Sequence, residues 1–261
     1  MNLNMNGKRA FICGASQGIG QAIAYELAAL GAHITLFART EEKLKTIAHD
    51  IHSKYQVECD YIAADIHDID GLRAQVEAKL NTNGNYHILV NNSGGPKGGP
   101  LLDANPTELL TFFQNHILSA QMLVNAFKKG METDQYGRII NIISTSVKQP
   151  IPNLGASNTI RAAMANWAKT LSAEIGPYIT VNNVLPGFTE TPRLHSLAEA
   201  ASVRLGKTKE EVMSMWANQS PLKRIAQPEE TAQAAAYLAS PAAGFINGIN
   251  LPVDGGRLST L

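Results

Sequence analysis

Apolar runs of about five residues alternate along this chain with longer segments whose apolar positions recur at helical spacing. Residues 9–13 read as a buried parallel strand, and residues 21–28 as a helix with Ile23, Ala24, Leu27 and Ala28 on one face. The pattern repeats. Residues 32–37 predict a second strand and 41–54 a helix with Leu44, Ile47, Ala48 and Ile51 aligned. Residues 57–63 predict a third strand, 71–80 a helix and 86–90 a fourth strand. Residues 106–130 are long and largely helical, as more than one element. A fifth strand is predicted over 138–143, a helix over 158–175 and a sixth strand over 178–185. A less regular insert covers 192–220, a helix 229–238 and a last strand 249–253. Regular alternation with right-handed crossovers predicts one α/β domain, a doubly wound parallel sheet of Rossmann type. The loop 91–100, rich in glycine, breaks the pattern without ending it, so it is no linker between domains.

Every glycine-rich or polar cluster follows a strand, where such sheets bind ligands. The first is Gly14-Ala15-Ser16-Gln17-Gly18-Ile19-Gly20, between strand and helix. Glycines allow a tight turn and a close approach to a phosphate, and the helix N-terminus offers N–H groups and a positive dipole end. The spacing G-x-x-x-G-x-G differs from the general dinucleotide fingerprint G-x-G-x-x-G. Alone, it is also compatible with a glycine turn that holds no ligand.

Composition narrows the field. The charges balance at 22 against 22 over 261 residues, which gives no overall field for nucleic acid or an anionic membrane. No run is long and apolar enough to span a bilayer, and the N-terminus lacks the apolar core of a signal peptide, so a cytoplasmic protein is expected. Cys13 and Cys59 lie in apolar runs and are expected as reduced core residues. Nothing resembles a metal-ligand cluster.

Taken together, these marks resemble the short-chain dehydrogenase/reductase family over almost the whole chain, and within it a 3-oxoacyl-carrier-protein-reductase-like branch. Gly14, Gly18 and Gly20 have its glycine spacing, with Ser16, Gln17 and Ile19 inside the same turn. Asp65-Ile66 resembles its adenine-contacting pair, and Asn91-Asn92-Ser93-Gly94 its motif after the fourth strand, which brings Asn92 and Gly94 to the cofactor. Asn141-Ile142-Ile143-Ser144 resembles the strand that ends in the catalytic serine. Pro186-Gly187, with Thr191, resembles the nicotinamide-side loop, and Val253-Asp254-Gly255-Gly256 the C-terminal mark. The resemblance implies hydride transfer between a nicotinamide cofactor and a small-molecule carbonyl, a lid over 192–220, and a homotetramer with the last strand and the 158–175 helix in its interfaces. Ala38-Arg39 ends the second strand, where an acidic residue favours NAD(H); an arginine there favours NADP(H) over NAD(H), although Gln17 takes a glycine-loop place that is often basic.

The chain departs from the family at the proton donor. The resemblance gives Ser144 the role of orienting the carbonyl and Asn115 that of holding a relay water. It places a tyrosine at 157 and a lysine at 161, where this sequence has Ser157 and Arg161. No tyrosine lies between Tyr136 and Tyr178, and neither of those is placed to act. A tyrosine has a reference pKa near ~10; a serine is a far weaker acid, and an arginine stays charged. Arg161 could still hold a ribose hydroxyl or phosphate. Lys148 and His195 are candidate substitute acids, each against a plain solvated reading, while His116 reads as a packed or surface residue. Two functions stay open: a carbonyl reductase with an atypical site, and a catalytically impaired nucleotide-binding homologue acting as a sensor or oligomer partner. The apolar residues of the insert, among them Leu194, Leu197, Val212, Met213 and Trp216, suit either a substrate cover or ordinary packing.

Overall fold

In the computed structural model, which describes residues 1–260, seven parallel strands form a single sheet. In chain order they are β1 (Arg9–Cys13), β2 (His33–Ala38), β3 (Cys59–Ala63), β4 (Ile88–Asn91), β5 (Gly137–Ile142), β6 (Ile179–Pro186) and β7 (Asn250–Val253). Their order across the sheet is β3-β2-β1-β4-β5-β6-β7, so it reverses between β1 and β4. Helices α1 (Gly18–Ala29), α2 (Glu41–Tyr55) and α9 (Pro228–Ala239) cover one face, burying Ile23, Leu27, Leu44 and Leu238 against Ile12, Ile34 and Val90. Helices α3 (Ile69–Asn83), α5 (Ser119–Thr133) and α6 (Gly155–Glu174) cover the other. There Phe11 packs on Phe37, Tyr86 and Phe127 with ring centroids 5.3–5.9 Å apart. Among the described residues no helix is long and apolar enough to cross a membrane.

All seven predicted strands are present, with ends displaced by up to two residues. The caps explain the helical differences. α3 begins two residues early because the Asp68 carboxylate accepts the Gly71 N–H at 2.9 Å. α6 begins three residues early, docked on the glycine-rich loop through Gly155 N–H to Gly99 O at 3.0 Å. The 106–130 region resolves into α4 (Pro106–Phe113), a π-helical turn (Gln114–Leu118) and α5.

Two expectations need correction. The 192–220 insert is not irregular: it forms α7 (Pro192–Leu205) and α8 (Lys209–Gln219). Gly206 closes α7 at φ 63, and a Thr208–Glu211 capping box opens α8. Its apolar residues also divide. Leu194 and Leu197 face a cavity, Val212, Met213 and Trp216 pack on Ala198 and Ala201, and Val203, Leu205 and Met215 are exposed. The second correction is Cys59, which lies half-buried on edge strand β3 rather than in the core. Both cysteines are free, and burial pushes each thiol up to about 12.

One polar feature spans half the sheet. Asn91, Asn141, Asn183 and Asn250 sit in register on β4, β5, β6 and β7. Each amide donates to the next: Asn91 to Asn141, Asn141 to Asn183 and Asn183 to Asn250, all at 2.8 Å. Asn141 is wholly buried, and Asn91 and Asn183 nearly so. A one-residue slip of any strand would turn its amide to the opposite face, so the ladder pins four strands in one register. Replacing Asn141 with Leu leaves a donor on Asn91 and an acceptor on Asn183 buried and unpaired. The expected cost is about 2–6 kcal/mol in urea unfolding; a loss below about 1 kcal/mol would show that the ladder is dispensable.

Candidate functional site

The carboxyl ends of β1, β2, β4, β5 and β6 open into one cavity of about 650 Å³. Its size suits a small-molecule or cofactor site. The glycine turn forms one wall: Gly14, Ser16, Gln17, Gly18 and Ile19 line it. Gly20 lies underneath. A Cβ there would stand 2.3 Å from Gly14 O, and one on Gly14, at φ 62, would stand 2.5 Å from Asn92 O. Both positions therefore exclude any side chain. Asn92 also ties the turn down, donating to Cys13 O at 3.3 Å. Gln17 at the start of α1 makes no side-chain cap, so the first N–H groups of the helix face the cavity wall uncapped. An anionic phosphate fits this cradle.

At the β2 end, Arg39 lines the cavity together with Lys43, which the sequence reading passed over. Lys43 stands in the first turn of α2 and its Nζ reaches Gln17 Oε1 at 3.4 Å. A second basic group is thus supplied to this end from α2 rather than from the glycine turn. Asp65 and Ile66 line the same end. Burial would raise the Asp65 carboxyl, but the His67 N–H, its ring at 2.7 Å, its charge and Arg39 hold it below the usual carboxylate range.

Ser144, Asn115, Ser157 and Arg161 all line the opposite end, with Asn92, Gly94, Pro186, Gly187 and Thr191. Ser144 Oγ accepts the Ser146 N–H at 3.0 Å, which leaves its O–H free to donate. Asn115 sits in the π-helical turn, where one extra residue per turn rotates it against His67; the two side chains meet at 3.0 Å. Asn115 Oδ1 is buried with no partner. Ser157 occupies the first turn of α6, and its Oγ has no hydrogen-bond partner among the described residues. Arg161, one turn later, is spent on backbone: Nη1 donates to Ile142 O at 2.8 Å and Ile143 O at 3.1 Å, and Nη2 to Ser93 O at 3.3 Å. Burial first, then the nearby Arg193 charge, pushes its guanidinium down to about 10, still a cation at neutral pH.

The candidate substitute acids stand elsewhere. Neither Lys148 nor His195 lines the cavity; His195 Nε2 pairs with Glu190 Oε1. Tyr136 is committed to Ala239 O at 2.7 Å, and Tyr178 is exposed at the opposite end of the sheet. No tyrosine lines the cavity among the described residues. The structure adds Arg193, from the first turn of α7, and Arg257, which donates to Thr145 Oγ1 at 3.2 Å and lies over the Phe188 ring. Nothing in their local sequence marks them, because the residues they join are distant along the chain.

His116 takes the packed of its two expected placements. It is buried beside the cavity, 2.7 Å from Ser93 Oγ. Burial first, then the Arg161 charge, lowers it from 6.5 to about 3, against a smaller opposing contact with Gly94. Unfolding exposes a histidine that takes up a proton near pH 6.5, while the folded one stays neutral down to about 3. Stability therefore falls as pH drops through this window, by about 5 kcal/mol at the limit. His116→Gln is expected to flatten the fall in urea stability between pH 6 and pH 4; an unchanged slope would assign acid lability to other groups.

Comparison with known proteins agrees with this geometry. The family described as enoyl-(acyl carrier protein) reductase matches residues 14–257. The NADPH-dependent reductase BacG of Bacillus subtilis (strain 168) is 30% identical over 260 residues, 98% of this chain and 100% of its own length. The 3-oxoacyl-[acyl-carrier-protein] reductase FabG of Pseudomonas aeruginosa is 33% identical over 97% of this chain and 98% of its own. The crystal structure of L-sorbose reductase from Gluconobacter frateurii, complexed with NADPH and L-sorbose, superposes with a TM-score of 0.93 at 32% identity and full coverage of both chains. Matched by the family over residues 14–257 and by these reductases over nearly its full length, this chain belongs to the short-chain dehydrogenase/reductase family.

Proposed function

We propose that the protein is an NADP(H)-dependent oxidoreductase that reduces a small-molecule carbonyl without a tyrosine acid. The observation that carries this reading is the single cavity joining the glycine turn, the Arg39–Lys43 end and Ser144. The residues suit the cofactor: the turn has space where side chains would clash, and two cations stand where a 2′-phosphate would need them. The NADPH-dependence of BacG and the NADPH in the sorbose reductase complex support the same choice. Asp65, Ile66, Asn92, Gly94, Pro186, Gly187 and Thr191 complete the cofactor side.

Reduction needs a hydride on the carbonyl carbon and a proton on its oxygen. When bound, the reduced nicotinamide supplies the hydride. Ser144 orients the carbonyl by donating its O–H. Ser157 and Arg161 stand where the family resemblance puts the tyrosine and lysine. Arg161 cannot release a proton at neutral pH, but its fixed positive charge stabilises a developing alkoxide. Ser157 then holds the water that protonates it, and the hydroxide left behind takes up a proton from bulk solvent through the open cavity. Asn115, with its unpartnered Oδ1, keeps a relay water between the cavity and His67. Loss of a positioned acid costs about 10²–10⁴-fold, so a slow enzyme is expected. A cytoplasmic homo-oligomer, tetrameric as in the family, is part of the same reading.

A second reading, a nucleotide-binding homologue without turnover, is favoured by one observation: Arg161 is spent on three backbone carbonyls. Stopped-flow NADPH oxidation with short 3-oxoacyl thioesters and small ketones separates the two. Turnover that falls about 10²-fold in Ser144→Ala supports the reductase, and tight NADPH binding without turnover supports the second reading. Arg39→Ala is expected to raise the NADPH Kd by about 10–100-fold and leave the NADH Kd nearly unchanged, from the loss of a charge-assisted bond of about 1.5–3 kcal/mol. Equal losses for both cofactors would remove Arg39 from 2′-phosphate recognition.

A further inference from the structure

Against the Ser144 end of the cavity lies a second, smaller chamber of about 280 Å³. Among the described residues, Phe188 and Arg257 alone line both spaces. Arg257 stands beside the reacting end: its Nη1 donates at 3.2 Å to Oγ1 of Thr145, the residue after Ser144. We propose that Arg257 determines the length of substrate the enzyme accepts: with Phe188 it forms the partition between the two spaces, and the chamber behind it is a subsite for an apolar alkyl tail. The inference rests on the reductase reading and adds the residue that sets its substrate size.

The chemistry of the chamber names its guest. Trp216, Leu222, Ala226, Pro252 and Val253 give it apolar walls. The polar groups around it are engaged with one another or with backbone. Arg224 forks onto Glu230 with both bonds at 2.6 Å. Asp254 accepts the Gly256 and Leu258 N–H groups at 3.0 and 2.8 Å, and Ser220 Oγ donates to Gly255 O at 2.8 Å. A polar guest would have to break one of these bonds or go unpaired, whereas an alkyl chain displaces only water.

The two halves of the partition are held differently. Phe188 is fixed: its carbonyl accepts the Ala226 N–H at 2.9 Å, and its ring stacks on Trp216 of α8 with centroids 4.9 Å apart and planes 6° apart. The Arg257 side chain is held by neutral groups, Thr145 Oγ1 and Gln219 Oε1 at 3.2 Å each, and its guanidinium lies 4.8 Å from the centre of the Phe188 ring. None of these partners belongs to the sheet, so Arg257 is the half that a substitution removes without breaking a strand. With the guanidinium in place, an alkyl chain that reaches it meets a charged, hydrated group and gains nothing from further length. With it gone, each methylene that enters the chamber strengthens binding about fourfold.

The test measures NADPH oxidation with butan-2-one and octan-2-one, which differ only in the length of one chain, and titrates the same ketones calorimetrically onto the NADP⁺ complex, where no reduction occurs. Arg257→Ala is expected to raise the octan-2-one to butan-2-one ratio of kcat/KM at least 30-fold and to tighten octan-2-one binding at least 10-fold. A gain for the longer ketone is not what lost folding would produce. Adding Leu222→Trp, which fills the chamber from its far wall, is expected to return both ratios to those of the unaltered protein. An unchanged ratio in Arg257→Ala, with ketones still reduced, overturns the inference and leaves the reductase standing. A gain that Leu222→Trp does not reverse assigns it to general loosening and also overturns the inference. Tighter octan-2-one binding in Arg257→Ala without turnover of either ketone keeps the chamber and removes the reductase.

Discussion

The asparagine ladder constrains everything above it. Four amides, one per strand, lock β4 to β7 in a common register, with the central pair sealed from water. Three residues of the cavity wall lie a few residues beyond a ladder member. Asn92 follows Asn91 and Ser144 follows Asn141 by three, while Pro186 follows Asn183 by three. A register error at the ladder would move each of them to the wrong face or the wrong height. Hydrophobic burial alone would not prevent it, because a buried parallel strand is apolar on both faces. The directional amides supply the discrimination that its apolar residues lack.

Arg161 works at the same junction from the helix side. Its three carbonyl bonds hold the end of β5 to the loop after β4, where the sheet gives way to the cavity. A lysine could supply one compact charge there; the planar guanidinium spans several acceptors at once. Burial first, and the Arg161 charge second, keep the neighbouring His116 neutral.

Much of this was legible along the chain. The seven strands followed from short apolar runs, and the ligand end of the sheet from glycine clusters that each follow a strand. Gly14 and Gly18 were recognisable from the glycine turn itself, and Ser144, Asn115, Ser157 and Arg161 only through the resemblance to the short-chain dehydrogenase/reductase family. All six line one cavity. The helical insert was missed because its stop and start, Gly206 and the Thr208–Glu211 box, are small signals inside a polar stretch.

The sequence by itself determined the alternation of elements, the glycine turn and the absence of a tyrosine at 157, all of which depend only on local order. The tertiary structure alone decided the rest. The asparagines at 91, 141, 183 and 250 become a ladder only when four strands are laid side by side. Lys43 reaches Gln17 only because α2 packs beside the glycine turn, and Arg193 nears Arg161 only because α7 folds over the loop after β4. Long-range pairing of charges and amides depends on which crossovers bring distant segments together, and no spacing along the chain records that distance.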